Sequence, residues 1–205
     1  MKTPLLSLLL CFLVLACSSV ETIEVKNDSG KLTERFSQNK KTKQKEGKLV
    51  RFFEDGAIQE ESNYQKDTLH GERKIYYENG QLQIVEKYKA GNFDGLYQAY
   101  YTNGQLELEG NYISGSMNGQ WTRFYETGEK MEVVTFKDNE ENGPFTEYHI
   151  NGQLKAKGAY MNGDNEHGEL QLFNETGQLI KKMNCEIGRC KTTWVKEAVE
   201  GEKSI

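Results

Sequence analysis

A glycine recurs at nearly constant spacing along most of this chain and divides it into six similar units. Successive units are 24, 24, 24, 24 and 25 residues apart, and their leading glycines are Gly47, Gly71, Gly95, Gly119, Gly143 and Gly168. A period of this length marks a repeat protein, in which each unit buries its apolar side chains against its neighbours. The sequence therefore predicts one repeated structure over residues 47–191.

Each unit predicts a β-hairpin. Nine residues after the leading glycine comes a second glycine, and the residue before that one is Asn, Asp or Thr. Asn-Gly and Asp-Gly between apolar runs are the strongest short-range hairpin signal, because both residues tolerate positive φ. Five residues after each leading glycine stands an aromatic residue, at Phe52, Tyr76, Tyr100, Phe124, Tyr148 and Phe173. We therefore predict an all-β fold, an elongated single antiparallel meander of tandem 24-residue hairpins.

The two turns of each unit are less well defined. A two-residue loop at the Asn-Gly turn would pair the position six residues after the leading glycine with a column of leucines that includes Leu82. A three-residue loop with a glycine bulge would instead pair Tyr76, five residues after the glycine, with Leu82. The second turn, which joins one unit to the next, is expected at residue types that tolerate left-handed backbone, namely His70, Asp94, Asn118, Asn142 and His167.

The segments GLYQAYYTNGQLELEGNYISGSMN and GQWTRFYETGEKMEVVTFKDNEEN resemble the bacterial variant of the MORN repeat. The shared pattern is a leading Gly, an aromatic pair, Asn-Gly-x-Leu and a terminal Tyr. The resemblance covers residues 47–191, with degraded half-units at 29–36 and 192–196 that would cap the ends of the sheet. It implies a non-enzymatic binding or scaffold protein, and the family includes bacterial proteins labelled YwqK-type antitoxins.

The first sixteen residues have the character of a signal peptide, with Lys2 before a twelve-residue apolar stretch that is too short to span a bilayer. Val14-Leu15-Ala16-Cys17 resembles the lipobox of bacterial lipoproteins. This resemblance implies cleavage before Cys17, a lipid on its thiol and attachment to a membrane, and Ser18 implies the outer membrane. Residues 17–46 would then be a lipid-anchored tether and capping half-repeat, and 192–205 a capping strand and tail. The alternative is cleavage by ordinary signal peptidase, with Cys17 an unmodified thiol.

The charge of the chain excludes one class of partner. Its formal net charge is −5, whereas a nucleic-acid binder needs an excess of Lys and Arg to neutralise phosphates. One predicted connection is nevertheless crowded with lysines, at Lys40, Lys41, Lys43, Lys45 and Lys48. These side chains either form a solvated loop that protects the sheet edge or, near a lipidated Cys17, contact anionic headgroups at about 1 kcal/mol each.

Two cysteines near the end of the repeats are expected to form a disulfide. Cys185 replaces the terminal Tyr of its unit, and Cys190 lies five residues further on, across a turn, so the two would face each other on adjacent strands. Cys11 belongs to the signal and Cys17 is the lipid site, which leaves this pair to oxidise in an exported protein. A redox-active or metal-binding pair is the alternative, but the spacing is not CxxC and no His stands beside it.

The sequence predicts no enzyme, no cofactor and no metal. Its histidines all occupy repeat positions: His70 and His167 as turn residues, and His149 in place of a strand Tyr. A catalytic constellation would require residues that break the repeat, and no long segment outside the repeats supplies them. The acidic turns 137–142 and 162–167 could bind Ca²⁺ weakly, but polar residues are ordinary in turns and neither turn matches an EF-hand loop.

The columns two and six residues after the leading glycine provide the candidate binding surface. They are apolar, and an open ribbon has no second layer to cover them, so an aromatic-rich face is expected at Tyr97, Trp121, Phe145, Tyr101 and Tyr125. The alternative is that a twisted ribbon buries these rings against each other. The favoured function is thus an envelope binding module for a protein or glycan. The second is an antitoxin or immunity protein whose acidic array covers a basic toxin outside the cytosol.

Overall fold

The computed structural model describes residues 19–197, which form sixteen β-strands. The first eight are β1 (Val20–Lys26), β2 (Leu32–Asn39), β3 (Lys45–Phe52), β4 (Ile58–Gln65), β5 (Thr68–Leu69), β6 (Gly71–Tyr76), β7 (Leu82–Lys89) and β8 (Asn92–Tyr100). The other eight are β9 (Leu106–Ile113), β10 (Ser116–Phe124), β11 (Lys130–Lys137), β12 (Glu140–Tyr148), β13 (Leu154–Tyr160), β14 (Gly168–Phe173), β15 (Leu179–Glu186) and β16 (Arg189–Val195). Among these residues no helix is long and apolar enough to cross a membrane.

All sixteen strands belong to one open antiparallel sheet. Strands that follow each other in the chain are neighbours in the sheet, except that the two-residue strand β5 pairs beside β6 on β4. The predicted all-β meander of tandem hairpins is therefore confirmed. At the front, β1 and β2 form a complete hairpin where the sequence indicated a half-unit, and β16 adds a single strand at the back.

The Asn-Gly turns adopt the three-residue alternative. In the second unit the Gly80 N–H donates to the Tyr77 carbonyl at 2.9 Å. Gly80 has a φ of 81°, whereas Asn79 is not in the left-handed region, which excludes the two-residue turn with positive φ at both positions. Tyr76 consequently pairs with Leu82, so the aromatic column faces the leucine column.

The turns that join one unit to the next lie earlier than the sequence predicts. Each is made by two residues with positive φ: Lys66–Asp67, Ala90–Gly91, Ser114–Gly115, Asp138–Asn139, Asn162–Gly163 and Ile187–Gly188. The residues before the leading glycines do not have positive φ, and Asp94 lies inside β8. The turn prediction for His70, Asp94, Asn118, Asn142 and His167 is therefore wrong.

The leading glycines serve a bulge rather than a turn. Between the pair Tyr88–Phe93 and the pair Glu86–Tyr97, one residue of β7 faces three residues of β8. The middle residue of those three is Gly95. Its φ of 120° is a backbone conformation that residues other than glycine rarely adopt. The same irregularity is centred on Gly47 and Gly143, so at these positions the glycines of the repeat mark bulges.

The sheet has two unlike faces. The packed face carries the side chains two and four residues after each leading glycine, and the open face carries those one, three and five residues after it. Along β10, buried Trp121 on the packed face stands between exposed Gln120 and half-buried Thr122 on the open face. The apolar cluster lies on the packed face, where buried Val134, Phe145 and Ala156 are surrounded by Phe136, Tyr160, Leu170 and Leu172.

Candidate functional site

Two of the five predicted binding residues are buried in the packed face. Trp121 exposes 3% and Phe145 4% of its surface. The Trp121 ring lies 5.1 Å from the ring of Tyr112, measured between centroids, and Phe145 stacks on Tyr160 at 4.3 Å. The expectation of an uncovered aromatic patch is wrong for these two residues, because rings on adjacent strands cover one another.

Glycines on the facing strands make room for these rings. A Cβ on Gly110 would lie 2.1 Å from the Trp121 indole, and one on Gly158 would lie 2.9 Å from the Phe145 ring. Neither glycine has positive φ, so it is the available space rather than the backbone that requires glycine at these positions. The sequence does contain this signal, since both glycines stand inside predicted strands and outside the two glycine columns.

Tyr97 is half-buried at the end of the same aromatic cluster. Its ring centroid lies 5.7 Å from that of Trp121 and 5.9 Å from that of Tyr112. Burial, with the negative charge of Glu86 nearby, raises the pKa of the Tyr97 hydroxyl. The side chain therefore belongs mainly to the packing of the third and fourth units.

Tyr101 and Tyr125 join neighbouring hairpins. The Tyr101 hydroxyl donates to the Phe124 carbonyl at 2.8 Å, and the Tyr125 hydroxyl donates to the Tyr148 carbonyl at 2.9 Å. Tyr77 does the same one repeat earlier, and the ring nitrogen Nε2 of His149 lies 3.1 Å from the carbonyl oxygen at the corresponding place. These side chains form a ladder of contacts from each hairpin to the next. The tyrosine hydroxyls therefore already use their one hydrogen-bond donor within the sheet.

In the first units the packed face carries charges instead of rings. Arg51 bridges Glu34 and Glu60 at 2.9 and 3.0 Å, and Arg73 bridges Glu60 and Glu86 at 3.0 and 3.1 Å. Glu60 and Glu86 are buried, so the carboxylates depend on these guanidinium groups for hydrogen bonds. The hydrogen bond to Glu60 raises the pKa of Arg73 and keeps it charged.

Sequence reasoning missed this network. Arg73 stands where later units have Tyr97, Trp121 and Phe145, and a charged residue in an aromatic column looks like an ordinary surface substitution. The sequence signal for the ion pair lies in the paired strand β7. There Glu86 stands opposite Arg73, at the position that Gly110 and Gly158 occupy in later units. Opposite charges at paired positions of two strands indicate an ion pair across the sheet.

The open face is polar and carries the aromatic column five residues after each leading glycine. The Tyr100 hydroxyl donates to the Gln98 side-chain oxygen at 3.0 Å, and the Thr146 hydroxyl donates to the Tyr148 hydroxyl at 3.4 Å. These rings are half-buried, and hydroxyl and amide groups stand beside them at the same strand positions. The exposed groups therefore repeat once per hairpin, about 10 Å apart at the usual strand spacing.

The predicted cysteine pair is joined in the structure, and some of the predicted lysines form ion pairs. A disulfide joins Cys185 to Cys190, which are directly paired on β15 and β16. Cys17 lies outside the described residues. Of the crowded lysines, Lys43 and Lys45 form ion pairs with Glu21 and Glu34.

No group of three or more His, Cys, Asp and Glu side chains within residues 19–197 is arranged to hold a metal ion. The acidic turns at 137–142 and 162–167 therefore contribute no such cluster in this part of the chain. His70 and His167 each donate a backbone N–H to the preceding strand, at 2.9 and 2.8 Å.

Comparison with known proteins identifies the repeats. The family profile described as the MORN repeat variant matches residues 45–66, 69–90, 93–114, 117–138 and 166–184, somewhat more than half of the chain. The gap in this match, between 138 and 166, contains hairpin β12–β13, which the structure shows as a further repeat. No curated protein matches the chain significantly. The chain belongs to the MORN repeat variant family.

Proposed function

We propose that this protein is a non-enzymatic envelope lipoprotein whose repeat sheet is a binding scaffold for a protein or glycan partner. The observation that supports the proposal is the open face. Its aromatic rings recur in every unit, hydroxyl or amide side chains stand beside them from the third unit on, and no other element within residues 19–197 covers them. Repeat proteins use such extended surfaces for binding, because each unit presents the same groups at regular intervals.

The position of the N-terminal strand suits a tether at one end. The Ser19 carbonyl accepts the Lys40 N–H at 2.9 Å, so the chain enters the sheet beside the lysine-rich loop at 40–45. A lipid on Cys17 would be two residues from this point. It would hold one end of the sheet at a membrane and leave the open face accessible along its length.

The non-enzymatic part of the proposal follows from where the polar groups are directed. The titratable side chains of the packed face bind one another, as Arg51, Glu60, Arg73 and Glu86 do. The tyrosine hydroxyls of the ladder bind backbone carbonyls. Catalysis would require a nucleophile, a base and an oxyanion site converging in one place. The ion pairs of the packed face and the tyrosine ladder instead use their polar groups to join neighbouring strands.

The tether is tested by the mass and location of the processed protein. Cells expressing the full chain or its Cys17→Ala variant are fractionated, and the intact mass of the product is measured. We expect a lipidated protein cleaved before Cys17 in the membrane fraction, and loss of both lipid and membrane retention in the variant. An unprocessed soluble protein would overturn the envelope assignment.

The scaffold is tested by site-specific crosslinking. A photoreactive amino acid replaces Gln120, which is exposed on the open face, or Lys41, which is exposed in the β2–β3 loop and serves as the control. We expect a defined adduct of higher mass from position 120 and none from position 41. Equal labelling from both positions, or labelling from neither, would contradict a role of the open face in binding.

A further inference from the structure

The open face has a groove over β12, β13 and β14, between the fifth and sixth units. Its volume is about 420 Å³, and Pro144, Lys157, Ala159, Glu169 and Gln171 are among the residues that line it. Pro144 and Ala159 face each other across the β12–β13 pair, so the floor of the groove is apolar. The charged and amide groups stand around this floor.

Ala159 lies in the groove floor, and it is the smallest of the side chains that stand sixteen residues after the leading glycines. In two earlier units a larger side chain covers the next leading glycine: Lys87 lies over Gly95, and Thr135 lies over Gly143. Ala159 holds the corresponding place before Gly168, where a Cβ would find no atom within 4 Å. The one additional residue in this unit, which makes the glycine spacing 25, falls at the same junction.

An equivalent groove near the front of the sheet, of about 240 Å³, has charged side chains that pair with one another. It is lined by Lys48, Glu61, Glu72 and Lys74. Lys48 pairs with Glu61 at 2.5 Å, and Lys74 pairs with Glu72 at 2.7 Å. These groups already satisfy one another, so this groove offers little to a ligand.

The groove at β12–β14 is different because its lysine forms no salt bridge with a described residue, although the Glu169 carboxylate is close enough to interact electrostatically with it. Lys157 is exposed, and no carboxylate among residues 19–197 forms a salt bridge with it; its Nζ lies 6.0 Å from the centre of the Phe173 ring. The carboxylate of Glu169 is already bound by Lys182 at 3.6 Å and by the amide of Gln171. The buried Nδ1 of His167 has no hydrogen-bond partner within the described residues. The groove therefore combines an exposed lysine that forms no salt bridge with a described residue and an apolar floor.

We propose that this groove binds a carboxylated pyranose unit of an acidic glycan. The short apolar floor of Pro144 and Ala159 fits the C–H face of a sugar ring, and the ammonium of Lys157 complements a carboxylate. Gln171 and Glu169, which are held together, present acceptor oxygens to ring hydroxyls. This assignment rests on the proposed binding function and names the ligand class for one part of the open face.

The test is a titration of the processed protein, labelled with ¹⁵N, followed by NMR. The probes are trigalacturonate, neutral maltotriose and an acidic dipeptide, acetyl-Asp-Glu. We expect trigalacturonate to shift the amide signals of residues 157–159 and 168–171, with an affinity that weakens as salt is added. Maltotriose should bind more weakly and the dipeptide should leave these signals unchanged.

Two variants and a control make the titration specific. Ala159→Thr places in the groove the residue type that lies over Gly143 in an earlier unit, namely Thr135. The larger side chain should fill the groove floor and abolish the amide shifts without unfolding the sheet. Lys157→Gln removes the charge and should weaken binding about tenfold, as expected for loss of one charged hydrogen bond. Asn111→Thr, at the same position of the third unit, should bind like the unmodified protein.

The outcomes are distinguishable from those of the proposed function. No shift with trigalacturonate, or equal shifts in Ala159→Thr, would overturn the glycan site. So would shifts with the acidic dipeptide alone, which would identify a peptide site instead. Membrane retention and crosslinking at position 120 do not depend on this groove, so they test the scaffold even where the glycan assignment fails.

Discussion

The indole of Trp121 occupies the space in which Gly110 would carry a side chain, since a Cβ at that glycine would lie 2.1 Å from Trp121 Cδ2. Trp121 is on β10 and Gly110 on the adjacent strand β9. The indole therefore lies over the β9 backbone at Gly110, while its partner on the other side, Val134 of β11, does carry a side chain. This pair shows how one face of a single sheet forms a core.

Replacement of Gly110 by Ala should therefore destabilise the protein by about 2–3 kcal/mol, because the rigid indole must move out of its packed position. The measurement is the midpoint of urea-induced unfolding, with the slope of the transition compared between variants. The adjacent Asn111→Ala change, on the exposed open face, is the matched control and should shift the midpoint little. Equal effects of the two substitutions would show that the Trp121 contact is not what requires glycine.

The tyrosine ladder predicts a smaller, position-specific effect. Tyr101→Phe removes the hydroxyl that donates to the Phe124 carbonyl, at a cost of about 1 kcal/mol for a net hydrogen bond. Tyr64→Phe is the control, since its hydroxyl forms no hydrogen bond with a described residue, although its ring lies 5.4 Å from the Lys45 ammonium. Thermal unfolding followed by circular dichroism measures both. A loss in the Tyr64 variant as large as in the Tyr101 variant would contradict the ladder.

The charge network predicts a larger cost when one partner is removed. Arg73→Met leaves the buried carboxylates of Glu60 and Glu86 without their shared guanidinium, which should destabilise the protein by about 3 kcal/mol. Arg35→Met is the matched control, because Arg35 pairs with Glu24 on the exposed part of the sheet. Such exposed pairs contribute about 0–1 kcal/mol. Chemical unfolding at neutral pH should separate the two variants clearly.

The same network predicts how stability depends on pH. Burial alone would raise the pKa of Glu60, but the hydrogen bond from Arg73, with the positive charges of Arg73 and Arg51, lowers it below the ordinary value of 4.5. A carboxyl whose pKa is lower in the folded state stabilises the fold above its unfolded pKa, and this contribution is lost as the pH falls through the folded pKa. Unfolding free energies measured from neutral pH downward should therefore decrease below about pH 4.5. In Glu60→Gln this decrease should be smaller; an identical pH profile would exclude Glu60 as its source.

The disulfide predicts a chemical result and a stability result. In denatured but unreduced protein neither Cys185 nor Cys190 should react with a thiol reagent. The double Ser variant should lose about 2 kcal/mol, since the crosslink closes only a short loop. The intact protein with and without reductant provides the comparison. Two reactive thiols before reduction would show that the bond does not form in solution.

Much of the fold follows from the order of residues alone. Glycines at constant spacing, Asn-Gly turns and an aromatic column are local signals, and each hairpin contacts only its neighbours. The position of Tyr76 opposite Leu82 could not be decided in advance, because both loop lengths suit the same residues. The two-residue junction turns were missed because residues such as Ala90 and Ser114 do not signal positive φ. They are held there by the strand pairing on either side.

The candidate site was less predictable, for a physical reason. Which face of a single sheet packs depends on how rings and charges of successive strands meet, and a column of tyrosines looks the same whether it is exposed or covered. The sequence by itself determined the repeat, the hairpin and the pairing of Cys185 with Cys190. Only the tertiary structure decided that Trp121 and Phe145 are buried, that Tyr101 and Tyr125 bind backbone, and that Pro144 and Ala159 form the floor of a groove. Those outcomes depend on contacts between residues nine or more positions apart, such as Trp121 and Tyr112, which local patterns do not encode.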